Sequence, residues 1–175
     1  MVGNESGTLP GETLTKRPTL MRHVVNEAEI AIEIDRPVEE VFAAATDIDR
    51  FPDWSVSLSE VRKTSEGALG VDSTLLFMGK QLGRRYEAPV VVTEYVINER
   101  FTTKTTGGPF YIEVGYLFEK GGSGTRFTTH VRGESKGFFK VAEPIVYRIT
   151  KKQFETAAET LKAMLEAAPA VTAGQ

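Results

Sequence analysis

The chain has 175 residues, a net charge of −3 and a pI near 5.5. This length suits one domain with a real core, and the slightly acidic balance argues against a nucleic-acid partner. The absence of cysteine excludes disulfides, thiolate zinc sites and thiol nucleophiles. No N-terminal signal segment and no apolar run long enough to span a membrane can be recognised. We therefore expect a cytoplasmic protein without a membrane span, and the sequence leaves a homodimer open.

The two ends of the chain differ in composition from its middle. Residues 1–20 scatter Gly and Pro among Ser, Thr and Glu without periodicity, which predicts a disordered tail. Residues 169–175 are predicted to be loose as well. Between them, residues 21–168 read as a single domain. Met21 is an alternative to Met1 as the start, and the sequence does not decide between them.

The folded part is predicted to open with a strand over residues 24–34, where isoleucines alternate with acidic residues. Asp35 is predicted to cap a helix that has Pro37 near its start. A second short helix is expected to pass through Ile48 and Phe51, and to be closed by residues 52–54. Two short helices therefore follow the first strand.

The middle of the chain reads as strands separated by glycine-rich turns, which favours an antiparallel sheet. The predicted strands cover residues 58–65, 73–78, 86–97, 101–106, 110–119 and 125–134. In the last hairpin, matching apolar to apolar places Tyr116 and Thr129 on the inner face and the charged Arg126 and Arg132 outside.

A helix of roughly 30 residues is predicted over residues 138–168, well beyond the mean helix length. One apolar stripe contains Ile145 and Ile149, and another begins at Phe154; the five-residue step between them rotates the stripe. We expect the helix to bend, with a break at Pro144 as one option. Either it is a plain core helix, or its first half roofs a cavity while its second half packs solidly.

Three segments carry a resemblance to a known family. They are IDRPVEEVF at 34–42, DIDRFPDW at 47–54 and GTRFT at 124–128. Together with the order of elements, they resemble the START-like helix-grip superfamily (SRPBCC), in its polyketide cyclase/dehydrase-like branch. The resemblance implies an α+β helix-grip fold, with a curved antiparallel sheet of about seven strands wrapped around a long C-terminal helix. It also implies a cavity for an apolar ligand between the sheet and that helix.

Other motifs give little support to metal or phosphate chemistry. His23 and His130 are the two histidines, and His130 alternates onto the charged face, so a surface role is favoured over a catalytic base. Without cysteine, two distant histidines make a transition-metal site unexpected, and we expect no metal and no cofactor. The glycines at 121–124 read as a hairpin turn rather than a phosphate loop. Either one of Arg84 and Arg85 points inward and binds a carboxylate or ketone oxygen of a ligand, or both belong to a solvated strand end.

The first functional hypothesis is binding of a small apolar or aromatic molecule in the cavity, by apolar burial with a few polar groups fixing orientation. The alternative is a cofactor-independent polyketide cyclase or aromatase, with Tyr116, Tyr86 or Arg84 as acid or oxyanion partner.

Trp54 either lines the cavity entrance or plugs the sheet edge. The predicted ligand-binding residues are Asn26, Ile30, Phe42, Trp54, Phe77, Arg84, Tyr86, Phe101, Tyr116, Thr129, Ile145 and Ile149.

Overall fold

The computed structural model describes residues 26–108, 110–135 and 143–167. Both predicted tails, His23 and the predicted helical residues 138–142 lie outside the described residues. The elements in chain order are β1 (Asn26–Ile34), α1 (Val38–Thr46), α2 (Phe51–Trp54), β2 (Leu58–Lys63), β3 (Thr74–Gln81), β4 (Arg84–Val96), β5 (Arg100–Thr105), β6 (Phe110–Gly121), β7 (Gly124–Ser135) and α3 (Glu143–Ala167).

The seven strands form one antiparallel sheet in the order β1-β7-β6-β5-β4-β3-β2. Strand β1 pairs with β7 over its full length, so the first strand closes against the last hairpin. Helix α3 packs across β1 and β7, and it also contacts α1 and α2. The predicted helix-grip fold is confirmed, with the two short helices directly after the first strand.

In the last hairpin, the side chains predicted to face inward are buried. Val114, Tyr116 and Phe118 of β6 are buried, and their β7 partners in the ladder, Val131, Thr129 and Phe127, are buried with them. Gly122 and Ser123 form the two-residue turn between these strands. Because one face of the hairpin is apolar and the other charged, the register of this part of the sheet is strongly specified.

The turn between β1 and α1 differs from the prediction. The N-cap of α1 is Pro37, without a side-chain cap, and not Asp35. The backbone N–H of Asp35 instead donates to the Glu166 carboxylate at 2.9 Å, and Arg36 Nε donates to the Leu165 carbonyl at 3.0 Å. This turn therefore satisfies the C-terminal end of α3, whose last carbonyls have no partner within the helix.

The second short helix also differs in its bounds. Residues Pro52, Asp53 and Trp54 lie inside α2 rather than after it, and Ile48 precedes it. Proline is tolerated there because the first turn of a helix has no intrahelical partner for its backbone nitrogen.

Helix α3 has 25 residues, with Pro144 in its first turn, so the proline is compatible with the helix start. The prediction for its first apolar stripe was wrong. Ile145 is 59% exposed, whereas its neighbour Val146 is buried. The inward face runs through Val146, Thr150, Gln153 and Phe154 into the second half at steps of three and four residues.

Candidate functional site

A cavity of about 80 Å³ lies between the inner face of the sheet and the first half of α3. Its floor comes from β4, β5 and β6, its roof from α3, and its sides from β3 and the segment after α2. The lining residues are Phe51, Ser55, Ser57, Leu58, Phe77, Gln81, Tyr86, Ala88, Val90, Thr103, Thr105, Phe110, Ile112, Val114, Tyr116, Thr150, Gln153 and Phe154.

The cavity exists where α3 presents modest side chains to the sheet. Thr150 and Gln153 face inward at this level, and the sheet opposite offers the small Ala88 and the short Thr103. Thr150, Ala88 and Thr103 are shorter than leucine or phenylalanine and leave part of the space between the helix and the sheet unfilled. Phe154 then ends the cavity on the side of the second half of the helix.

Several polar groups of the lining are satisfied within the protein. Gln81 Nε2 donates to Thr150 Oγ1 at 3.3 Å, which joins β3 to α3 across the side of the cavity. The Thr105 hydroxyl donates to the Phe110 carbonyl at 3.0 Å and accepts from the Ile112 N–H at 2.9 Å. These groups are held by the scaffold and are not free to rotate toward a ligand without breaking a bond.

Tyr86 is positioned by a glycine on the neighbouring strand. Gly79 pairs with Tyr86 in the ladder, and a Cβ at Gly79 would lie 2.9 Å from the tyrosine ring, so only glycine leaves room for it. Burial raises the pKa of Tyr86, and its hydrogen bond with Ser57 partly offsets the rise. The phenol is therefore protonated at neutral pH.

Tyr116 is the more deeply buried of the two tyrosines in the lining. Its ring stacks between Phe101 and Phe127, at centroid distances of 6.1 and 5.6 Å, and Trp54 contacts it edge-on at 5.9 Å. The side chain is 4% exposed, and no hydrogen bond to the described residues offsets the burial of its hydroxyl, whose oxygen is not fully enclosed. Burial raises the pKa of Tyr116 far above its ordinary value. The group facing the cavity is thus a neutral hydrogen-bond donor.

Four of the twelve predicted site residues line the cavity or the pocket beside it. Phe77, Tyr86 and Tyr116 line the cavity. Asn26 lines a neighbouring pocket of about 40 Å³ between α3 and the β1–β7 pair, which shares Phe154 with the cavity. The rest lie elsewhere.

Five predicted residues belong to the packed core behind the lining. Ile30, Phe42, Phe101 and Thr129 are buried against neighbouring side chains instead of facing the space. Trp54 is buried behind Tyr116 and Phe51, where it supports the wall, and its indole N–H has no partner in the described part of the chain. Trp54 does not line the cavity, whereas its helix α2 packs against the edge strand β2, so its role as a plug of the sheet edge stays a prediction.

Three predicted residues do not reach the cavity because of their position at the start of a strand or on another side of the helix. Arg84 is the first residue of β4 and is exposed, so it does not reach into the cavity. Ile145 and Ile149 lie on a line rotated away from the inward face set by Val146 and Thr150, and neither lines the cavity.

Sequence reasoning missed the polar part of the lining, above all Gln81, Thr150 and Gln153. The signal for the two helical residues was present. Extending the firm stripe of Phe154, Ala157 and Leu161 toward the N-terminus in helical steps reaches Thr150 and Gln153. They lie in the five-residue step between the two predicted stripes, where polar residues look like an interruption of the apolar face.

The outer face of the sheet carries ion pairs. His130 Nδ1 lies 3.4 Å from the Glu29 carboxylate, and Arg132 pairs with Glu27 at 3.2 Å, all with exposed side chains. Among residues 26–108, 110–135 and 143–167, no group of three or more potential ligands is placed to hold a metal ion. His130 is on the far side of the sheet from the cavity.

The model of a known family, polyketide cyclase/dehydrase and lipid transport, matches residues 25–166. The chain belongs to this family. The match spans all elements that form the cavity, from β1 to α3. No curated protein matches the chain in sequence.

Solved structures share this fold at low sequence identity. A protein from Thermus thermophilus has a TM-score of 0.70 and 16% identity over 82% of this chain and 100% of its own. A START superfamily protein from Mycobacterium smegmatis has a TM-score of 0.68 and 18% identity over 80% and 97%. The Zhui aromatase/cyclase from Streptomyces sp. R1128 has a TM-score of 0.69 and 10% identity over 84% and 99%. At these identities the likeness shows the fold.

Within the part of the chain that the structure describes, no helix is both long enough and apolar enough to cross a membrane.

Proposed function

We propose that this protein binds a small, uncharged apolar or aromatic molecule in the cavity beneath the first half of α3. The observation that carries the proposal is Tyr116, which lines the cavity with a protonated hydroxyl whose burial is offset by no hydrogen bond to the described residues. The oxygen is not fully enclosed. A phenol that loses all its hydrogen bonds on burial costs up to about 1–3 kcal/mol, so a group that accepts its proton is favoured there. A ligand oxygen would be such a group.

The chemistry of the lining supports a neutral ligand. The described residues that line the cavity are aromatic, aliphatic, hydroxyl-bearing or amide-bearing, and none of them is charged. A carboxylate buried there would lack a counter-ion, which is costly in an apolar site. The earlier candidate for a counter-ion, Arg84, is exposed at the end of β4.

The size of the cavity sets a condition on binding. About 80 Å³ holds a few water molecules, whereas ligand pockets commonly measure roughly 300–1,000 Å³. Four residues line both this cavity and the neighbouring pocket: Phe110, Ile112, Thr150 and Phe154. Phe154 is only partly buried. We expect rotation of Phe154 to join the two spaces and to admit a ring-sized ligand.

The expected energetics are modest. Burying about 200 Å² of apolar ligand surface contributes about 5 kcal/mol at 25 cal/mol per Å². A single neutral hydrogen bond adds about 0.5–1.5 kcal/mol, which is roughly a two- to twelvefold change in affinity. The hydrogen bond is therefore measurable, although the apolar contacts dominate.

The test uses 1-tetralone, a neutral bicyclic ketone, titrated calorimetrically into the purified protein. Tyr116→Phe should weaken binding by about two- to tenfold and leave the melting temperature unchanged or raised, because no protein partner is lost. Tyr95→Phe is the matched control, since Tyr95 packs on Phe42 and Phe101 and does not line the cavity. Equal binding by wild type and Tyr116→Phe contradicts the proposed role of Tyr116. A lack of binding to a panel of neutral ketones and phenols, with no co-purified ligand in native mass spectrometry, contradicts the function.

A cofactor-independent cyclase is the second candidate, and one observation favours it. Tyr86 and Tyr116 line the same cavity and both remain protonated, so either could donate to a ketone oxygen on which charge develops. This candidate predicts that the protein changes the product profile of a linear polyketone and that Tyr116→Phe reduces the change. A product profile identical to the buffer control would exclude it for that substrate.

A further inference from the structure

The turn between β3 and β4 places a leucine in an unusual conformation. Gln81 pairs with Arg84, so Leu82 and Gly83 form a two-residue turn, with φ of 49° and 76°. This turn type needs φ > 0 at both positions and favours Asn-Gly or Asp-Gly. The other non-glycine residues described with positive φ are Asp72 and Asn98, for which the conformation is common. Leu82 is thus the exception.

The side chain of Leu82 is only partly covered by the protein. It is 38% exposed at the tip of the hairpin and is absent from the packed core. Backbone strain at an exposed position is often kept for a functional reason. An apolar side chain held at a protruding tip is suited to insertion into another apolar phase.

Cations surround this tip. Lys80, Arg84 and Arg85 flank it on the hairpin and are exposed. The bond from Gln81 to Thr150 ties the hairpin to α3, where Arg148, Lys151 and Lys152 are also exposed. Of these, Lys151 borders the neighbouring pocket beside β1, and Lys152 pairs with Glu155 at 3.5 Å. Residues 79–87 and 143–155 together contain six cationic and three acidic residues, a net charge of +3 in a chain whose net charge is −3.

Two further exposed apolar side chains lie next to residues that line the cavity or the neighbouring pocket. Val56, 52% exposed, stands between Ser55 and Ser57, which both line the cavity. Ile145 projects outward from the first turns of α3, next to Val146. We call the hairpin 80–85, Val56 and residues 145–152 of α3 the rim surface.

We propose that the rim surface docks on an anionic lipid bilayer, with Leu82 inserted into the headgroup region and the flanking cations on the anionic lipids. Apolar side chains among Lys and Arg are the pattern by which proteins lie on, rather than span, a membrane. Juxtaposed cations are attracted to anionic headgroups over about one Debye length, so binding should weaken with salt. A protruding leucine fits a deformable bilayer better than the surface of a folded protein, which would have to supply a matching pocket. The proposal does not depend on any ligand in the cavity.

The experiment is vesicle flotation of the full chain with phosphatidylcholine vesicles, with and without phosphatidylserine. Binding is expected with phosphatidylserine, should fall in high salt, and should be at least about tenfold weaker without it. Leu82→Asn should lower vesicle binding about tenfold, the order expected for one buried leucine. Because asparagine favours positive φ, the same change should leave the melting temperature unchanged or raised.

The matched control is Ile97→Asn. Ile97 is 68% exposed and follows the far end of β4, which separates it from the hairpin by about 40 Å at 3.4 Å per residue. It should bind vesicles as wild type does. Equal binding by wild type and Leu82→Asn, or equal binding to both vesicle types, overturns the proposal. Failure to float, with binding to polyglutamate that is lost in Arg84→Ser/Arg85→Ser, also overturns it and points to an acidic protein partner.

Discussion

The two halves of α3 face the same sheet but pack against it in different ways. The first half presents Thr150, Gln153 and Phe154 over a cavity. The second half presents Ala157, Ala158 and Leu161, all buried in the main core cluster. The second half of the helix is thus closely packed, whereas the first half covers a cavity. The difference follows from which side chains occupy the inward positions.

Side-chain hydrogen bonds fasten both halves of the helix. At its C-terminal end, Arg36 donates to the Leu165 and Glu166 carbonyls, and Lys162 donates to the Glu33 carbonyl. In the first half, Gln81 donates to Thr150 at 3.3 Å, and the Tyr147 hydroxyl donates to the Glu27 carbonyl at 2.9 Å. If either half moves to admit a ligand, we expect the first half to do so, because the cavity lies beneath it.

The largest expected effect is the loss of stability when a large side chain is shortened in the second half of α3, compared with the same change at the cavity. Leu161→Ala should destabilise the protein by about 2–5 kcal/mol, because a closely packed site leaves an empty space. Leu58→Ala, at the edge of the existing cavity, should cost less than about 2 kcal/mol. Urea unfolding measures both. Equal losses would mean that the two regions are packed alike.

Adding volume to the second half should also destabilise the protein. Ala158→Leu is expected to cost about 1–3 kcal/mol through overpacking. Ala163→Leu, on the exposed side of the same helix, should change stability by less than about 0.5 kcal/mol. If Ala158→Leu proved neutral in thermal unfolding, the second half would contain space that the structure does not show.

A smaller effect is expected where α3 meets β3. Thr150→Val removes the acceptor of the Gln81 bond and should cost about 1 kcal/mol or less, because the Gln81 amide can turn toward water in the cavity. Thr156→Val, at an exposed position of α3, controls for the change in helix propensity. A loss above about 2 kcal/mol would identify this bond as a major anchor of the first half.

The smallest effect concerns the charge at the end of the second half. The backbone N–H of Asp35, together with Lys162, holds the pKa of Glu166 below its usual range. Its charged form therefore stabilises the fold above the unfolded pKa of about 4.3, and this contribution is lost as pH falls through the lower folded value. Glu166→Gln should melt below wild type at neutral pH, and the two should converge in acid. A difference that is constant with pH would assign it to something other than the charge.

Much of the fold could be predicted because alternation and turn chemistry are local signals. The strands and the inner face of Tyr116 and Thr129 follow from period two in β6 and β7. The cap of α1 could not be predicted, since Asp35 bonds to Glu166, 131 residues away. A sequence pattern carries no information on such a distant partner.

The site was harder to predict than the fold, and for a physical reason. An inward aromatic residue looks the same in sequence whether it lines a space or fills one, so Phe42 and Phe101 were chosen although they lie in the core. Polar residues over a cavity resemble surface residues, so Thr150 and Gln153 were passed over. The distinction depends on unfilled volume, which arises only when the elements pack.

The most direct test of the cavity is methyl NMR of the protein titrated with 1-tetralone. The account predicts shifts for the methyl groups of Leu58, Val90, Ile112 and Val114, which line the cavity. It predicts no comparable shifts for Leu161 and Ile34, which lie in the solid core under the second half of α3. Shifts of equal size in both groups, or in neither, would contradict a ligand site confined to the first half.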